Sequence, residues 1–338
     1  MTTHLVHGGA LGAAVARFGG RREDWLDLST GINPVPPPLP ELEPALFARL
    51  PEAELEAEAR EAARLHYGAA PEAGIVAAPG SQALISLLPH LLPSGPAAIL
   101  HPAYAEHARA FRAAGRAVLG LSDPADAPAS AAVAVVVNPN NPDGRRFSRE
   151  SLLELADAMA ARGGWLVVDE AFMDADPRES LGPDAGRPGL VVLRSFGKFF
   201  GLAGLRLGFA LTTRDLAAGI HARLGPWSVS GPALAVGARL MADRETIAAL
   251  RAAIAVRSAL TRGAIAAAGL CPEGEAALFS LVSVPNAHAL FEALARRRIL
   301  VRPFAERPDW LRFGVVRDAA EAERLRAALE AALPELRA

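Results

Sequence analysis

Short apolar runs alternate with longer segments rich in Ala, Leu, Arg and Glu along most of this 338-residue chain, and that alternation limits the fold more than any other feature. It is the pattern of an α/β protein built on a mostly parallel sheet. Strands are predicted at Ala97–Leu100, Val133–Val137, Trp165–Val168, Val191–Leu193 and Leu207–Leu211. Helices are predicted at Glu54–His66, Gln82–Leu91, Tyr104–Ala114 and Arg149–Ala161, with a long helical stretch across Ala233–Ala268. The strands are apolar almost throughout, which suits a sheet covered on both faces. The segment GINPVPPPLP (31–40) cannot be regular structure, because its prolines favour an extended, semi-rigid path. From about Pro226 the texture changes to helices followed by apolar runs at Ala277–Val284, Ile299–Pro303 and Trp310–Val316 and a last helix at Ala319–Ala332. The expected organisation is an arm over 1–40, a large domain over 41–225 and a smaller α+β domain over 226–338.

Composition removes several function classes. Hydrophobic residues make up 51% and charged residues 21%, enough to bury a sizeable core. The formal net charge of −2 carries no basic stripe, so a nucleic-acid partner is not expected and any anionic ligand must be met by local groups. Cys271 is the single cysteine, so neither a disulfide framework nor a multi-cysteine metal site is possible. The histidines show no metal-ligand spacing, and no metal is expected. Apolar runs are broken by Pro, Arg or Asp well before about 18 residues, which argues against a membrane span. The first residues, MTTHLVHGGA, lack a charged and then apolar leader, and a cytoplasmic location is expected.

The chemistry concentrates in Ser195-Phe196-Gly197-Lys198, with Arg206 eight residues on in GLAGLRLGF. A lysine amine can form a Schiff base with an aldehyde cofactor, while Ser195 and Arg206 supply the hydroxyl and cation that a cofactor phosphate needs. Alone, such a lysine is also compatible with a glycine-rich surface loop. Three more segments speak for the cofactor reading. Asn138 to Gly144 (NPNNPDG) follows a strand, and the Asn141 amide is placed to bond a pyridine phenolate oxygen. Asp169 ends the strand WLVVDE, where a carboxylate keeps a ring nitrogen protonated. Gly80, Ser81 and Gln82 open a helix whose free N–H groups face a phosphate, with Ser81 a suitable N-cap. Asn141, Asp169 and Lys198 are spaced so that each comes from a separate strand end, the place where open α/β sheets bind ligands.

The ordered set PGSQ (79–82), HPAY (101–104), NPNNPDG (138–144), DEAF (169–172), SFGK (195–198) and GLRLGF (204–209) resembles the fold type I, aspartate aminotransferase-like enzymes that use pyridoxal 5′-phosphate (PLP). Within them it is most similar to the histidinol-phosphate aminotransferase-like branch. The resemblance spans nearly the whole chain and implies that Lys198 holds PLP, that Tyr104 stacks on its ring and that Asn141 bonds the phenolate oxygen. Phe172 stands where many relatives carry a tyrosine, so one hydroxyl is missing on the phenolate side. Arg312, in WLRFGV, would hold the substrate α-carboxylate in bidentate fashion. A homodimer with shared sites is also implied.

Within the branch, His7-Gly8-Gly9 and LDLSTGINP (26–34) resemble the L-threonine-O-3-phosphate decarboxylases of cobalamin biosynthesis. Histidinol-phosphate aminotransferases carry an Arg-Tyr-Pro pattern whose tyrosine reaches a neighbouring subunit's cofactor; here it reads Arg49-Leu50-Pro51. The expected substrate is thus a small phosphorylated amino acid, with Arg302, Arg317, His7 and Asn33 as candidate groups for its phosphate. Arg317 beside Asp318 is equally readable as a salt bridge at a helix start. An aminotransferase using 2-oxoglutarate is the alternative, since it differs only in which α-carbon bond is aligned for cleavage. A non-catalytic protein on the same fold is a weaker rival. A nicotinamide enzyme is disfavoured, because no strand–GxGxxG–helix unit is present.

Overall fold

The computed structural model describes residues 8–336. Contacts divide these into two compact units, a larger one of 36–141 and 145–251 and a smaller one of 8–35, 142–144 and 252–336. The boundary expected at 225/226 therefore lies elsewhere. Residues 226–251 belong with the larger unit, and the described part of the arm up to 35 belongs with the carboxyl-terminal segment.

The chain begins with helix α1 (Leu11–Phe18) and the short strand β1 (Leu26–Asp27). The larger unit contributes α2 (Ala45–Ala48), α3 (Ala53–His66), β2 (Gly74–Ala78), α4 (Ser81–Leu87), β3 (Ala97–Leu100), α5 (Ala105–Ala113), β4 (Val118–Leu121) and β5 (Val133–Val137). It continues with α6 (Arg149–Ala160), β6 (Trp165–Asp169), β7 (Leu190–Ser195), α7 (Phe196–Phe199), β8 (Gly208–Thr212), α8 (Arg214–Leu224) and α9 (Gly231–Ala242). Helix α10 (Arg244–Ala267) passes from one unit into the other. There follow β9 (Pro272–Glu273), β10 (Phe279–Ser283), α11 (Ala287–Arg296), β11 (Ile299–Leu300), β12 (Arg302–Pro303), β13 (Trp310–Gly314) and α12 (Ala319–Ala332).

In the larger unit seven strands form one sheet in the order β2-β8-β7-β6-β5-β3-β4. Only β8 runs against its neighbours, so the others are mutually parallel. Val133, Val135, Val136 and Val137 of β5 are all at most 1% exposed, because helices cover both faces. Each such side chain contributes roughly 1.5–3 kcal/mol on burial. Helix starts follow local chemistry: Ser148, Thr213 and Ser230 cap α6, α8 and α9 by accepting a backbone N–H through their hydroxyls. The helical stretch predicted across Ala233–Ala268 is two helices, because the chain leaves helical geometry at Asp243 (ψ 91°), whose carboxylate takes the Thr246 N–H and hydroxyl.

In the smaller unit β12, β13, β10 and β9 form an antiparallel sheet and β1 pairs in parallel with β11. Its core joins Trp25, Leu26 and Leu28 to Leu290, Phe291, Leu311, Phe313 and Leu325. Asp318 caps α12 by accepting the Glu321 N–H at 3.0 Å. Strands β1, β2, β4 and β9 carried no sequence prediction; β4 is only part-buried, and the alanine-rich β2 offers little β-propensity.

Candidate active site

Parallel strands place the carboxyl ends of β2, β3, β5, β6 and β7 on one edge of the large sheet, and β8 begins on that same edge. Register does the rest. Asp169 lies opposite Val137 on one side and Leu193 on the other, and Ser195 lies opposite Gly208. The residues that follow these positions are the predicted ones: Asn141 after β5, Lys198 on α7 immediately after β7, and Arg206 just before β8.

At β2 the chain turns through Gly80 (φ 82°) into α4. Gly80, and not Ser81, is the N-cap, and Ser81 is the first helical residue, a correction to the sequence reading. The reason is backbone geometry: the turn needs positive φ, which glycine takes at least cost. A Cβ at Gly80 would come within 2.6 Å of Arg206 Nη2, and one at Gly208 within 2.4 Å of the Ser81 nitrogen. Arg206 itself has φ 54°, rare for a side chain of this size. Two glycines and one strained arginine thus pack a guanidinium against the first turn of α4. A phosphate-bearing cofactor fits this cradle of backbone N–H groups, hydroxyl and guanidinium.

The ring-binding candidates are also held. Asp169 is 3% exposed and lies 2.9 Å, through Oδ2, from Nε2 of the equally buried His107, while its Oδ1 accepts the Ala171 N–H. The His107 ring meets that of Tyr104 edge-on at 6.1 Å. Tyr104 donates its hydroxyl to Gln82 Oε1, and Gln82 Nε2 donates to Glu106, so the Gln82 side chain faces α5. In the NPNNPDG loop, Asn138 exchanges two hydrogen bonds with Phe147, and Asn140 Nδ2 donates to the Pro102 carbonyl. Those two amides secure the loop, and the predicted ligand Asn141 is part-buried within it. Lys198 Nζ lies 5.9 Å from the centroid of the Phe172 ring.

In the smaller unit, Arg302 of β12 stands directly opposite Arg312 of β13. Directly opposed residues share a sheet face, and two like charges there oppose each other unless an anion lies near. Arg312 is 7% exposed and donates to the Ser29 carbonyl at 2.9 Å. Asn33 is 1% exposed and accepts through Oδ1 from the Val35 N–H and from Arg257 Nη1. Arg317 is exposed and lies 3.9 Å from Glu321, so its salt-bridge partner is not Asp318, which serves instead as the cap of α12. His7 lies outside the described residues.

Sequence reasoning assigned no role to three buried groups here. His107 stands three residues after Tyr104, and that spacing was the available signal. Glu170 and Arg194 neighbour Asp169 and Ser195 in sequence but point elsewhere. Arg194 binds Glu170 and Asp174, Glu170 also takes the Ser180 hydroxyl and Leu181 N–H, and His66 lies 2.9 Å from Asp174.

Residues 23–329 match the family described as aminotransferase class I and II. The chain belongs to that family. As a class I and II aminotransferase-family protein with the fold type I architecture, it is a PLP-dependent enzyme, and the residues above fit that cofactor. A threonine-phosphate decarboxylase of Sinorhizobium sp. is 46% identical to it over 335 residues, 97% of this chain and 98% of that one. A threonine-phosphate decarboxylase of Pseudomonas aeruginosa is 45% identical over 327 residues, 96% and 97% of the two chains. Among solved structures, the L-threonine-O-3-phosphate decarboxylase of Porphyromonas gingivalis is similar with a TM-score of 0.75 at 20% identity, over 91% of this chain and 99% of that one. The histidinol-phosphate aminotransferase of Sinorhizobium meliloti, solved with pyridoxal-5′-phosphate, reaches a TM-score of 0.80 at 22% identity, over 99% and 96%.

Proposed function

We propose that this chain decarboxylates L-threonine O-3-phosphate to (R)-1-amino-2-propanol O-2-phosphate, the step that resemblance assigns to cobalamin biosynthesis. The observation that carries the reading is end-to-end likeness, 46% identity over 97% of the chain, to a decarboxylase. A histidinol-phosphate aminotransferase of Mycobacterium tuberculosis, by contrast, matches only 61% of the chain at 37% identity.

When bound, PLP supplies an electron sink for the pair released at the substrate α-carbon. Lys198 would hold it through its amine and afterwards return a proton to that carbon. Asp169, fixed by His107, would keep the ring nitrogen protonated, with Tyr104 against the ring and Asn141 on the phenolate oxygen. Ser81, Ser195, Arg206 and the N–H groups of Ser81 and Gln82 would take the cofactor phosphate, with Gly80 shaping the turn that presents them. Arg312 would hold the α-carboxylate so that this group, and not the α-hydrogen, is lost. Arg302, Asn33, His7 and Arg317 are assigned to the substrate phosphate, Arg302 with most support because it shares a sheet face with Arg312.

A cytoplasmic homodimer completes the reading. Leu39, Phe47, Leu50 and Trp227 are each more than half exposed on the larger unit, an apolar cost that a second copy would remove. No helix among the described residues is long and apolar enough to cross a membrane. The deciding experiment follows carbon dioxide release from L-threonine O-3-phosphate by PLP-loaded protein without a keto acid. Catalytic release is expected. No release, with glutamate formed from 2-oxoglutarate once 2-oxoglutarate joins this or another amino donor, would move the chain to the aminotransferases.

A further inference from the structure

Arg257, on α10, is a half-buried guanidinium whose hydrogen bonds go to neutral oxygens: Nη1 donates to Asn33 Oδ1 at 3.3 Å and Nε to the Arg317 carbonyl at 3.1 Å. No carboxylate lies within ion-pair distance of it among the described residues. Burial acts on it without repayment and lowers its pKa. Asn33 is 1% exposed, and its Oδ1 also accepts the Val35 N–H at 3.2 Å. A guanidinium carries donors and no acceptor, so it dictates which end of the amide can face it. A flipped Asn33 would set its NH2 group against two donors. The amide is therefore held with Oδ1 toward Arg257 and Val35 and Nδ2, the donor end, turned the other way.

We infer that Arg257 is a positioning residue for the substrate's phosphate, acting through Asn33: it fixes the amide as a donor and places an unneutralised positive charge behind it. This rests on the decarboxylase reading and on Asn33 as a phosphate group ligand, and it goes beyond both in naming what orients Asn33. A half-buried cation without an anionic partner costs stability, and the return comes when a dianion binds nearby.

The test uses PLP-loaded Arg257→Met, which keeps the apolar stem, Arg257→Lys, which keeps charge but not the planar fork, Asn33→Ala, and the Asn33→Ala/Arg257→Met double variant. KM for L-threonine O-3-phosphate and the inhibition constant of inorganic phosphate are measured beside kcat, with cofactor absorbance and melting temperature as controls on folding. Arg257→Met is expected to raise both constants about tenfold or more, with KM rising further than kcat falls. Arg257→Lys should be intermediate, and the double variant should match Asn33→Ala. A lowered melting temperature with both constants unchanged, or fully additive effects in the double variant, would overturn the inference. Should Arg257→Met lose its cofactor absorbance, Arg257→Lys is read by the same constants, and wild-type values there would overturn it. Wild-type protein that releases no carbon dioxide would sink the decarboxylase reading instead, while wild-type turnover with indifferent Arg257 variants would sink this one alone.

Discussion

Asp169 shows what a single side chain needs before it can serve a cofactor. At 3% exposure its carboxylate is costly unless every lone pair is engaged, and His107 and the Ala171 N–H engage one oxygen each. Lys198 differs, standing part-buried as the third residue of the four-residue helix α7, where its amine can reach a ligand. Because the change only shortens one part-buried side chain, Lys198→Ala is expected to keep the fold, seen as an unchanged far-ultraviolet circular dichroism spectrum. It should lose the visible absorbance of the lysine-linked cofactor and all catalytic turnover. Turnover retained by Lys198→Ala would remove the central assignment. Both residues were singled out as candidates in the sequence, Lys198 from its Ser-Phe-Gly context and Asp169 from the end of an apolar run. His107 was legible only as a neighbour of Tyr104, since that spacing does not show that α5 sets it against a strand 62 residues away.

Elements, more than individual side chains, create the proposed cofactor cradle. The sheet edge gathers residues from six segments because parallel register puts their strand ends level. At the junction of β2, α4 and β8 the packing leaves no room for a methyl group, as the 2.4 Å approach of a Gly208 Cβ to the Ser81 nitrogen shows. Gly208→Ala should therefore push the first turn of α4 away from Arg206. The expected result is PLP affinity reduced by about tenfold or more, read by cofactor titration, with the sheet retained. Wild-type affinity in Gly208→Ala would mean that the cradle is not built on this junction. Glycines at both places are visible in the sequence, but a glycine's reason is its neighbour in space, and that neighbour is over a hundred residues distant.

Across the larger unit as a whole, one buried ion network ties β7, the segment after β6 and helix α3 together through Arg194, Glu170, Asp174 and His66. Burial opposes the Asp174 charge, but Arg194 and His66 outweigh it and hold that carboxyl down at about 2, while burial pushes Glu170 up. A carboxyl depressed in the folded state stabilises above its unfolded value of 3.8 and loses that contribution as pH falls toward about 2. Urea midpoints should accordingly fall steeply below about pH 4, and Asp174→Asn should flatten that acid limb while lowering stability at neutral pH. Removing the cation is harsher: Arg194→Met leaves two buried carboxylates without their partner and is expected to cost about 3–5 kcal/mol. An acid limb unchanged in Asp174→Asn would show that the network does not govern it. The sequence by itself determined the α/β class, the positions of the strands from Val133 to Leu211 and the order of the cofactor motifs, because apolar runs, turn residues and motif spacing act over a few neighbouring residues. Only the tertiary structure decided that 226–251 joins the larger unit, that Gly80 caps α4, and that His107, Arg194 and Arg257 matter. Those outcomes depend on which distant groups burial forces together, and a buried charge must then be answered by whatever donor or acceptor packing has placed beside it.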